Sequence, residues 1–596
     1  MTRQRLRRPI APVPRNLPRH ATLAAALTAA LAAPAPGWSQ GGMPGLPAPS
    51  LPAPMRPPRL VRPIQAKPSP LQGSPEPSIP EPSSPGPADI RIKVSGFRFV
   101  GNTVFSNQRL LAAISKTYEQ AKINLDRPLS FTDLNEARQA ITKLYIDQGY
   151  ITSGAYIPAQ SISDGVVEIR ILEGRLGELT VDVNQGRLRP GFVRSRIQRA
   201  SSGVLNLNRL VDELQLLQLN PLIGKIKANL SASSTPGLSN LQVNVFSAPS
   251  LEAAAALDNG LNPQIGSFRR GVDLANNNVF GYGDRFSLNY RNSDGSNDLL
   301  MSYKIPLNSS DLSLTLTNRY FDSWIIEKPG SLLNINSHYQ QWFIGLRQPL
   351  IRRVGEEFAL GLGLNKQDNK GLYLDGLPYP SPGVDPNGES RVTTLSFSQD
   401  WIKRSTTQVF SLRSEIGLGL NAFDSTVPAD YPANPNSPDP NFLFWRGDAQ
   451  FVRQLAANTL LVARGRAQLA DGPLPTVEQF GLGGLGNVEG YQANTLLTDS
   501  GLFASLELAV PIVSWQKGQS VLQLVPFTAF GYGWNAGTAS QPDVNLLGSV
   551  GLGLQLRMGN NFYGRLDYAQ RLGRVPYQTT DIGWDQSVFF SLRYGL

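Results

Sequence analysis

Glu489 is the carboxylate whose setting in this sequence raises a chemical question. It lies in the glycine-rich stretch GLGNVEGYQ, residues 484–492, between Val488 and the pair Gly490-Tyr491. A carboxylate can act as a general acid or base when a second titratable group faces it. No such partner stands near Glu489 in sequence, so the stretch alone does not predict an active site.

The remaining titratable groups give little support for an enzyme. Glu415, Glu507 and Asp567 could be proposed as acid/base pairs, but they lie on strand-like segments where a charged face serves equally well as a wet wall. The chain has no cysteine, and His338 is the only histidine after the N-terminal leader. This excludes the commonest zinc sites and any serine or cysteine relay not built on His338. We predict that the protein is not an enzyme and uses no cofactor or metal.

Residues 1–39 have the pattern of a secretory signal peptide. A long basic segment precedes the apolar run ATLAAALTAALAA, with cleavage expected near Ser39-Gln40. That run is shorter than the roughly 20 residues that a membrane-spanning helix needs. Six arginines of this segment carry most of the formal charge of +10, and removing them leaves +4. We therefore expect export and no nucleic-acid partner.

Residues 40–88 form a proline-rich segment. Between positions 41 and 88 it carries 16 prolines in 48 residues. This density removes backbone hydrogen-bond donors and disfavours both helix and sheet. We predict an extended, disordered linker.

Residues 89–175 predict a small α+β domain. A strand over residues 90–100 precedes a helix that begins after Ser106, and a second helix follows the capping-box pattern Ser130-x-x-Asp133. Two further strands flank Asp164-Gly165, a hairpin dipeptide. The predicted order is β-α-α-β-β.

Residues 176–250 predict a second domain of the same type. Helical stretches near residues 192–199 and 207–217 stand between one strand and two later ones. The residue-level similarity to the first domain is faint, but the repeated order favours two consecutive domains of one kind.

From residue 251 to residue 596 the sequence predicts strands only, sixteen of them, including residues 339–350 and 357–366. In the last strand, apolar side chains at the even positions from 588 to 596 alternate with Ser587, Ser591 and Arg593. One face therefore suits hydrocarbon and the other suits water, which is typical of a membrane barrel.

Connection lengths support this interpretation. Links such as residues 308–311 and 456–458 are short, whereas residues 367–391, 421–441 and 470–500 make long connections. Short turns on one rim and long loops on the other are typical of outer-membrane barrels.

At this point the chain resembles the outer-membrane transporters of two-partner secretion, the haemolysin and filamentous-haemagglutinin secretion family. VSGFRFVGNTVFS and YIDQGYITSGAYIPAQSISDGVVEIRILEGRLG match the first POTRA (polypeptide-transport-associated) domain, and LVDELQLLQLNPLIGKIKANLSASSTPGLSNLQVNV matches the second. The predicted fold class is thus α+β periplasmic domains followed by an all-β transmembrane barrel, with two POTRA domains and sixteen antiparallel strands.

The resemblance implies function and partners. It implies secretion of one large passenger protein with an N-terminal secretion domain, bound unfolded by the POTRA domains and threaded through the barrel. The other implied partners are outer-membrane lipid and the barrel-assembly machinery during biogenesis. Some relatives carry a plugging helix ahead of the first POTRA domain. The proline-rich segment here has no amphipathic window, so we do not expect one.

In the family, the loop between the eleventh and twelfth barrel strands folds into the lumen and ends in a V-R-G-Y or V-R-G-F tip. Its arginine pairs with an aspartate in an F-x-D-x-G-like motif of the thirteenth strand. Here the loop is residues 470–500 and the tip is Val488, Glu489, Gly490 and Tyr491.

The strand motif departs from the family as well. It reads PFTAFGYG, with Phe527, Phe530 and Gly533 around Gly531, which stands where the aspartate would fall. Losing both halves of the ion pair suggests a rebuilt contact. We expect Glu489 to pair with an inward-facing arginine, or else to be solvated in a wide channel. The candidate partners, with the first choice first, are Arg565, Arg557, Arg593, Arg464 and Arg466.

Two other functions remain open from the sequence. A factor that inserts other proteins into the outer membrane belongs to the same superfamily, but such factors usually carry more POTRA domains than residues 90–250 can hold. A general porin would explain the barrel and leave those two domains without a purpose.

Overall fold

The computed structural model describes residues 71–72, 91–123, 126–162, 164–328, 330–379, 381, 383–428, 431–434, 436–537, 540–574 and 587–596. The predicted signal peptide and all of the predicted linker except residues 71–72 lie outside this part of the chain.

Residues 91–247, together with residues 71–72, form two small α+β domains. Their elements in chain order are β1 (Leu71–Gln72), β2 (Arg91–Ile92), β3 (Gly96–Val100), α1 (Asn107–Gln120), β4 (Leu129–Ser130), α2 (Phe131–Asp147), β5 (Gly154–Tyr156), β6 (Val166–Leu172), β7 (Arg175–Asn184), α3 (Pro190–Ala200), α4 (Leu207–Leu219), β8 (Ile223–Ala232) and β9 (Leu238–Ser247).

Side-chain caps set the helix starts in the first domain. The Ser106 hydroxyl accepts the N–H of Arg109, and Ser130 and Asp133 form a reciprocal capping box at α2. The helices cover a sheet of order β3-β6-β5. The single strand expected over residues 90–100 is divided into β2 and β3, because β2 pairs with β4 and β3 pairs with β6.

The second domain packs α3 and α4 on a sheet of order β1-β8-β9-β7. Its core is built from apolar side chains of both helices and of β7 to β9. Leu71 and Gln72 belong to the segment expected to be a disordered linker, yet they pair with Ala228 and Asn229 of β8 in parallel. The edge of the sheet supplies the hydrogen-bond partners that the proline-rich segment lacks internally.

The C-terminal half is a closed antiparallel barrel of sixteen full-length strands, which confirms the predicted fold class. The strands are β10 (Leu251–Asp258), β11 (Arg269–Asn276), β12 (Arg285–Ser293), β13 (Ser296–Pro306), β14 (Ser313–Trp324), β15 (Asn336–Arg352), β16 (Glu356–Tyr373), β18 (Glu389–Arg404), β19 (Gln408–Leu420), β20 (Leu443–Ala456), β21 (Thr459–Ala470), β24 (Ser500–Trp515), β25 (Ser520–Trp534), β26 (Leu546–Met558), β27 (Phe562–Arg571) and β28 (Val588–Gly595).

Three short strands lie in long loops or beside them. β17 (Leu377–Pro378) pairs with the end of β16, and β22 (Phe480–Leu482) pairs with β23 (Leu496–Thr498) in the loop between β21 and β24. The barrel closes where β10 pairs with β28, from Ala254 opposite Gly595 to Asp258 opposite Ser591. Among the described helices, none is long and apolar enough to cross a membrane.

Side chains alternate between an apolar outer face and a polar inner face. In β26, Leu552 and Leu554 are exposed on the outside, while Ser549 and Gln555 are buried on the opposite face. Arginine and carboxylate side chains pair along and between strands on the inner face. Such pairs join Arg319 to Asp298, Arg347 to Glu357 and Asp400, and Arg413 to Asp400 and Glu415. The inner wall therefore suits water and a polar chain.

Candidate functional site in the barrel lumen

The loop of residues 471–499 folds back onto the inner wall of the barrel. Its tip residues Val488 and Tyr491 are fully buried. The loop and wall residues that pack together, here called the tip cluster, are Phe480, Leu482, Val488, Tyr491, Leu496, Phe503, Ala529 and Leu547. The wall members alternate along their strands with exposed outer residues such as Leu502 and Phe530. The cluster therefore lies in the lumen.

Gly531 of β25 lies directly beneath the tip. A Cβ atom at this position would stand 2.8 Å from Cδ2 of Leu482 and 3.0 Å from Cγ2 of Val488. The other glycine of the strand motif, Gly533, faces Thr498 of the loop in the same way. These glycines let the loop backbone and its apolar side chains rest against the wall.

The two aromatic residues of the strand motif face opposite sides. Phe527 is buried in the lumen with Ala569 and Phe589, with Leu485 of the loop packed against them. Phe530 is exposed on the outer face. Phe527 therefore extends the apolar seat of the loop, whereas Phe530 belongs to the lipid-facing surface.

Glu489 is buried and forms no ion pair with any described residue. One carboxylate oxygen, Oε1, accepts a hydrogen bond from the N–H of Gly486 at 3.0 Å, and the other has no hydrogen-bond partner among the described residues. The side chain is close enough to Arg565 and Asp567 to interact electrostatically with both. The expected direct pairing with Arg565 is therefore absent, and so is the alternative of a solvated carboxylate.

Arg565 is already occupied by two wall carboxylates. It donates to Glu507 at 2.7 Å and to both oxygens of Asp567 at 2.9 and 2.7 Å, and Arg464 donates to the other oxygen of Glu507 at 2.7 Å. We call Arg464, Glu507, Arg565 and Asp567 the wall cluster. Its two cations and two anions balance, so Glu489 adds a third acid at its edge.

The three remaining candidate arginines have other roles. Arg466 lies beneath the loop, 5.5 Å from the ring centre of Phe480 and 4.9 Å from that of Phe503. Arg593 pairs with Asp273, and Arg557 donates to Asn458 near the rim that carries the short turns. None of the three forms an ion pair with Glu489 in the structure.

A second charged assembly joins the second domain to the barrel. Arg196 of α3 donates to Asp311 in the turn between β13 and β14, and Arg352 at the end of β15 contacts Asp311 at 2.5 Å. Glu213 of α4 lies 2.8 Å from Arg199 and 3.7 Å from Arg352. We call these five residues the junction cluster. They hold the domain against the short-turn rim.

Burial dominates the electrostatics of the junction cluster. It raises the pKa of Glu213 although Arg352 and Arg199 oppose it, and it lowers the pKa of Arg196 although Asp311 opposes it. Both charged forms lose hydration at the junction. The contact is therefore favourable only while each charge keeps its partners.

Comparison with known proteins shows the family. Residues 237–556 match the model described as haemolysin secretion/activation protein ShlB/FhaC/HecB, and residues 92–174 match the POTRA domain, ShlB-type. The first match covers more than half of the chain. This chain belongs to the haemolysin secretion/activation family.

Individual relatives agree with that assignment. The heme/hemopexin transporter protein HuxB of Haemophilus influenzae is 25% identical over 483 residues, 78% of this chain and 80% of the relative. The outer membrane transporter CdiB of Escherichia coli is 25% identical over 398 residues, 65% of this chain and 64% of the relative. The solved structure of CdiB from Escherichia coli has a TM-score of 0.65 at 19% identity, covering 88% and 94% of the two chains.

Membership of the family fixes the coarse biology. The protein is a two-partner secretion transporter of the outer membrane, with POTRA domains in the periplasm and a secreted protein as its partner. The short-turn rim that touches the second POTRA domain is therefore the periplasmic rim.

Replacing Gly531 by aspartate, the residue type that the resemblance implies at this position, is expected to destabilise this transporter. The new Cβ would crowd Val488 and Leu482, and overpacking of this kind typically costs about 1–3 kcal/mol. The carboxylate would also lie among apolar groups. The measurement is the temperature at which the purified barrel loses its folded migration in gel electrophoresis. Gly531→Ala, which adds the Cβ without the charge, should cause a smaller loss, and equal losses would contradict the electrostatic part.

Two acidic residues at the base of the loop were missed by sequence analysis. Glu478 accepts hydrogen bonds from the side chains of Gln367, Thr394 and Arg446 in the wall. Asp499 accepts the N–H groups of Leu474 and Ala536 and a side-chain N–H of Gln479. Their signal in the sequence is weak, because each is a single acid in an irregular segment whose partners come from distant strands.

Proposed function

We propose that the POTRA domains bind an unfolded passenger with an N-terminal secretion domain and pass it into the barrel lumen. The observation that carries this proposal is the junction cluster. It places the second domain on the periplasmic rim of a barrel whose inner wall is lined by charged residues. A polar, extended chain that leaves this domain enters a water-filled lumen. The hydrocarbon core of the membrane could not satisfy the polar groups of such a chain.

Strand addition supplies the physical means of capture. β7 is an edge strand of the second domain, and β3 and β5 are the edges of the sheet in the first. An extended passenger segment can pair with such an edge through backbone hydrogen bonds, which tolerate many sequences. β1 already shows that β8 accepts an additional short strand. Outer-membrane lipid surrounds the barrel, and the barrel-assembly machinery inserts it.

A deletion strain tests the proposal against its rivals. We expect one large protein to disappear from the medium or the cell surface, and the full-length chain to restore it. A chain lacking residues 91–247 should reach the outer membrane and fail to restore secretion. A general fall in outer-membrane proteins would instead indicate an assembly factor. A change confined to the uptake of small solutes would indicate a porin.

A further inference from the structure

Glu478 is the buried carboxylate with the widest set of contacts in the loop. It ends the short helical turn Thr476–Glu478 and is 2% exposed. One oxygen accepts from Gln367 at 2.7 Å and from Thr394 at 2.9 Å, and the other accepts from Arg446 at 2.7 Å. The wall therefore supplies donors to three of the roughly four acceptor sites of this carboxylate.

The donors to Glu478 come from separate strands. Gln367 lies in β16, Thr394 in β18 and Arg446 in β20. The backbone carbonyl of Glu478 adds a fourth strand, because Gln468 of β21 donates to it at 2.8 Å, as does Arg446. One residue of the loop is thus fastened to four strands of the barrel by charge-assisted and neutral hydrogen bonds.

The donors are themselves fixed in place. The Tyr339 hydroxyl donates to Gln367 at 2.7 Å, and the Arg446 Nε donates to the Gln468 side chain at 2.6 Å. The Arg446 guanidinium also lies 3.9 Å from the centre of the Phe444 ring. The site is therefore preorganised for a carboxylate at this position.

The tip of the same loop is held differently. It packs mainly through apolar side chains, the Tyr491 hydroxyl donates to the carbonyl of Gly548 at 3.2 Å, and Glu489 forms no ion pair with a described residue. Apolar packing is non-directional, whereas the contacts of Glu478 require one geometry. The strong polar attachment of this loop is therefore at its base.

We propose that Glu478 is the positioning residue that holds the loop in the lumen. Release of Glu478 from Arg446, Gln367 and Thr394 frees the loop to leave the wall and widens the path. The inference rests on the proposed function for what the widened lumen carries. The loop position itself is measurable without any passenger.

The test uses a single-cysteine reporter in the full-length protein, which has no cysteine of its own. Ala529 is a wall member of the tip cluster and is 4% exposed in the parent, so Ala529→Cys places the reporter beneath the loop. We expect Glu478→Gln to raise the rate of maleimide labelling at position 529 at least about tenfold, since a hydrogen bond to a charged group is worth more than one tenfold step. Single-channel conductance in a planar bilayer should rise as well.

Matched variants separate this role from general charge loss. Glu389→Gln removes a carboxylate paired with Lys370 and Arg391 outside the loop and should leave labelling at the parent rate. Glu489→Gln tests whether the tip acid holds the loop instead. Labelling unchanged by Glu478→Gln, or raised equally by Glu489→Gln, overturns the proposal.

A milder variant covers failure of Glu478→Gln to fold. Thr394→Val removes one donor to Glu478 and keeps the shape of the side chain. It should raise labelling at position 529 by a smaller factor while the barrel keeps its folded migration in gel electrophoresis. If Thr394→Val is labelled at the parent rate, the proposal fails. Loss of secretion with unchanged labelling and conductance would instead concern the passenger pathway.

Discussion

Replacing Asp311 by asparagine is expected to detach the second POTRA domain from the barrel. Asp311 forms ion pairs with both Arg196 and Arg352, and the Arg196 side chain is 4% exposed. Removing the shared carboxylate leaves the buried Arg196 without its ion-pair partner, a change that typically costs about 3–5 kcal/mol, while Arg352 keeps its contact with Glu213 at 3.7 Å. Asparagine tolerates the left-handed backbone of this turn, where φ is 62°, so the variant removes charge without straining the turn.

Distances between spin labels measure this detachment. Ser202→Cys on the domain and Thr406→Cys in the turn after β18 give a pair across the junction, and both positions are exposed. The distance distribution should be narrow in the parent and broad in the Asp311→Asn background. Secretion should fall in parallel.

The matched control for this experiment is Asp294→Asn. Asp294 pairs with Arg270, and both side chains are exposed, so the pair is worth about 0–1 kcal/mol. This control should leave the distribution narrow. A distribution that stays narrow with Asp311→Asn would show that the other contacts of the junction, such as Phe192 against Gly283 and Arg189 over the ring of Tyr282, suffice to dock the domain.

The barrel could be predicted from sequence because its signals are local. Alternation of apolar and polar residues and the asymmetry of loop lengths are both read within one strand or one link. The predicted ends of the strands were less accurate than their number and order. Residues 357–366 were expected in one strand, and β16 extends from Glu356 to Tyr373. Its extra residues, such as Gln367 and Lys370, are polar because the ladder continues beyond the hydrocarbon, where alternation no longer marks a strand.

The site could be predicted only in part, because its partners are distant in the chain. Strand parity places Arg565 in the lumen, but it does not show that Arg565 is already paired with Glu507, which is 58 residues away in the chain. The contact of Glu478 with Gln367 spans 111 residues, and that of Arg196 with Asp311 spans 115. Each of these contacts depends on how the closed barrel brings strands and domain together, which no local pattern encodes.

Replacing Arg565 by glutamine is expected to have the largest effect in the lumen. It removes the cation shared by Glu507 and Asp567, which are 7% and 1% exposed, and breaking buried pairs of this kind typically costs about 3–5 kcal/mol. The folded band should be lost at a lower temperature. Arg593→Gln is the matched control, because Asp273 keeps Arg291 at 2.6 Å, and it should change stability much less.

Combining Arg565→Gln with Glu489→Gln tests whether Glu489 and Arg565 are energetically coupled. In the parent, Glu489→Gln removes a buried carboxylate with one hydrogen bond and should change stability little. Without Arg565, the same change relieves repulsion from Asp567 and Glu507, so it should be stabilising. The difference between the two backgrounds should be about 0.5–3 kcal/mol, the usual range for interacting neighbours. Additive effects would mean that Glu489 and Arg565 are not energetically coupled.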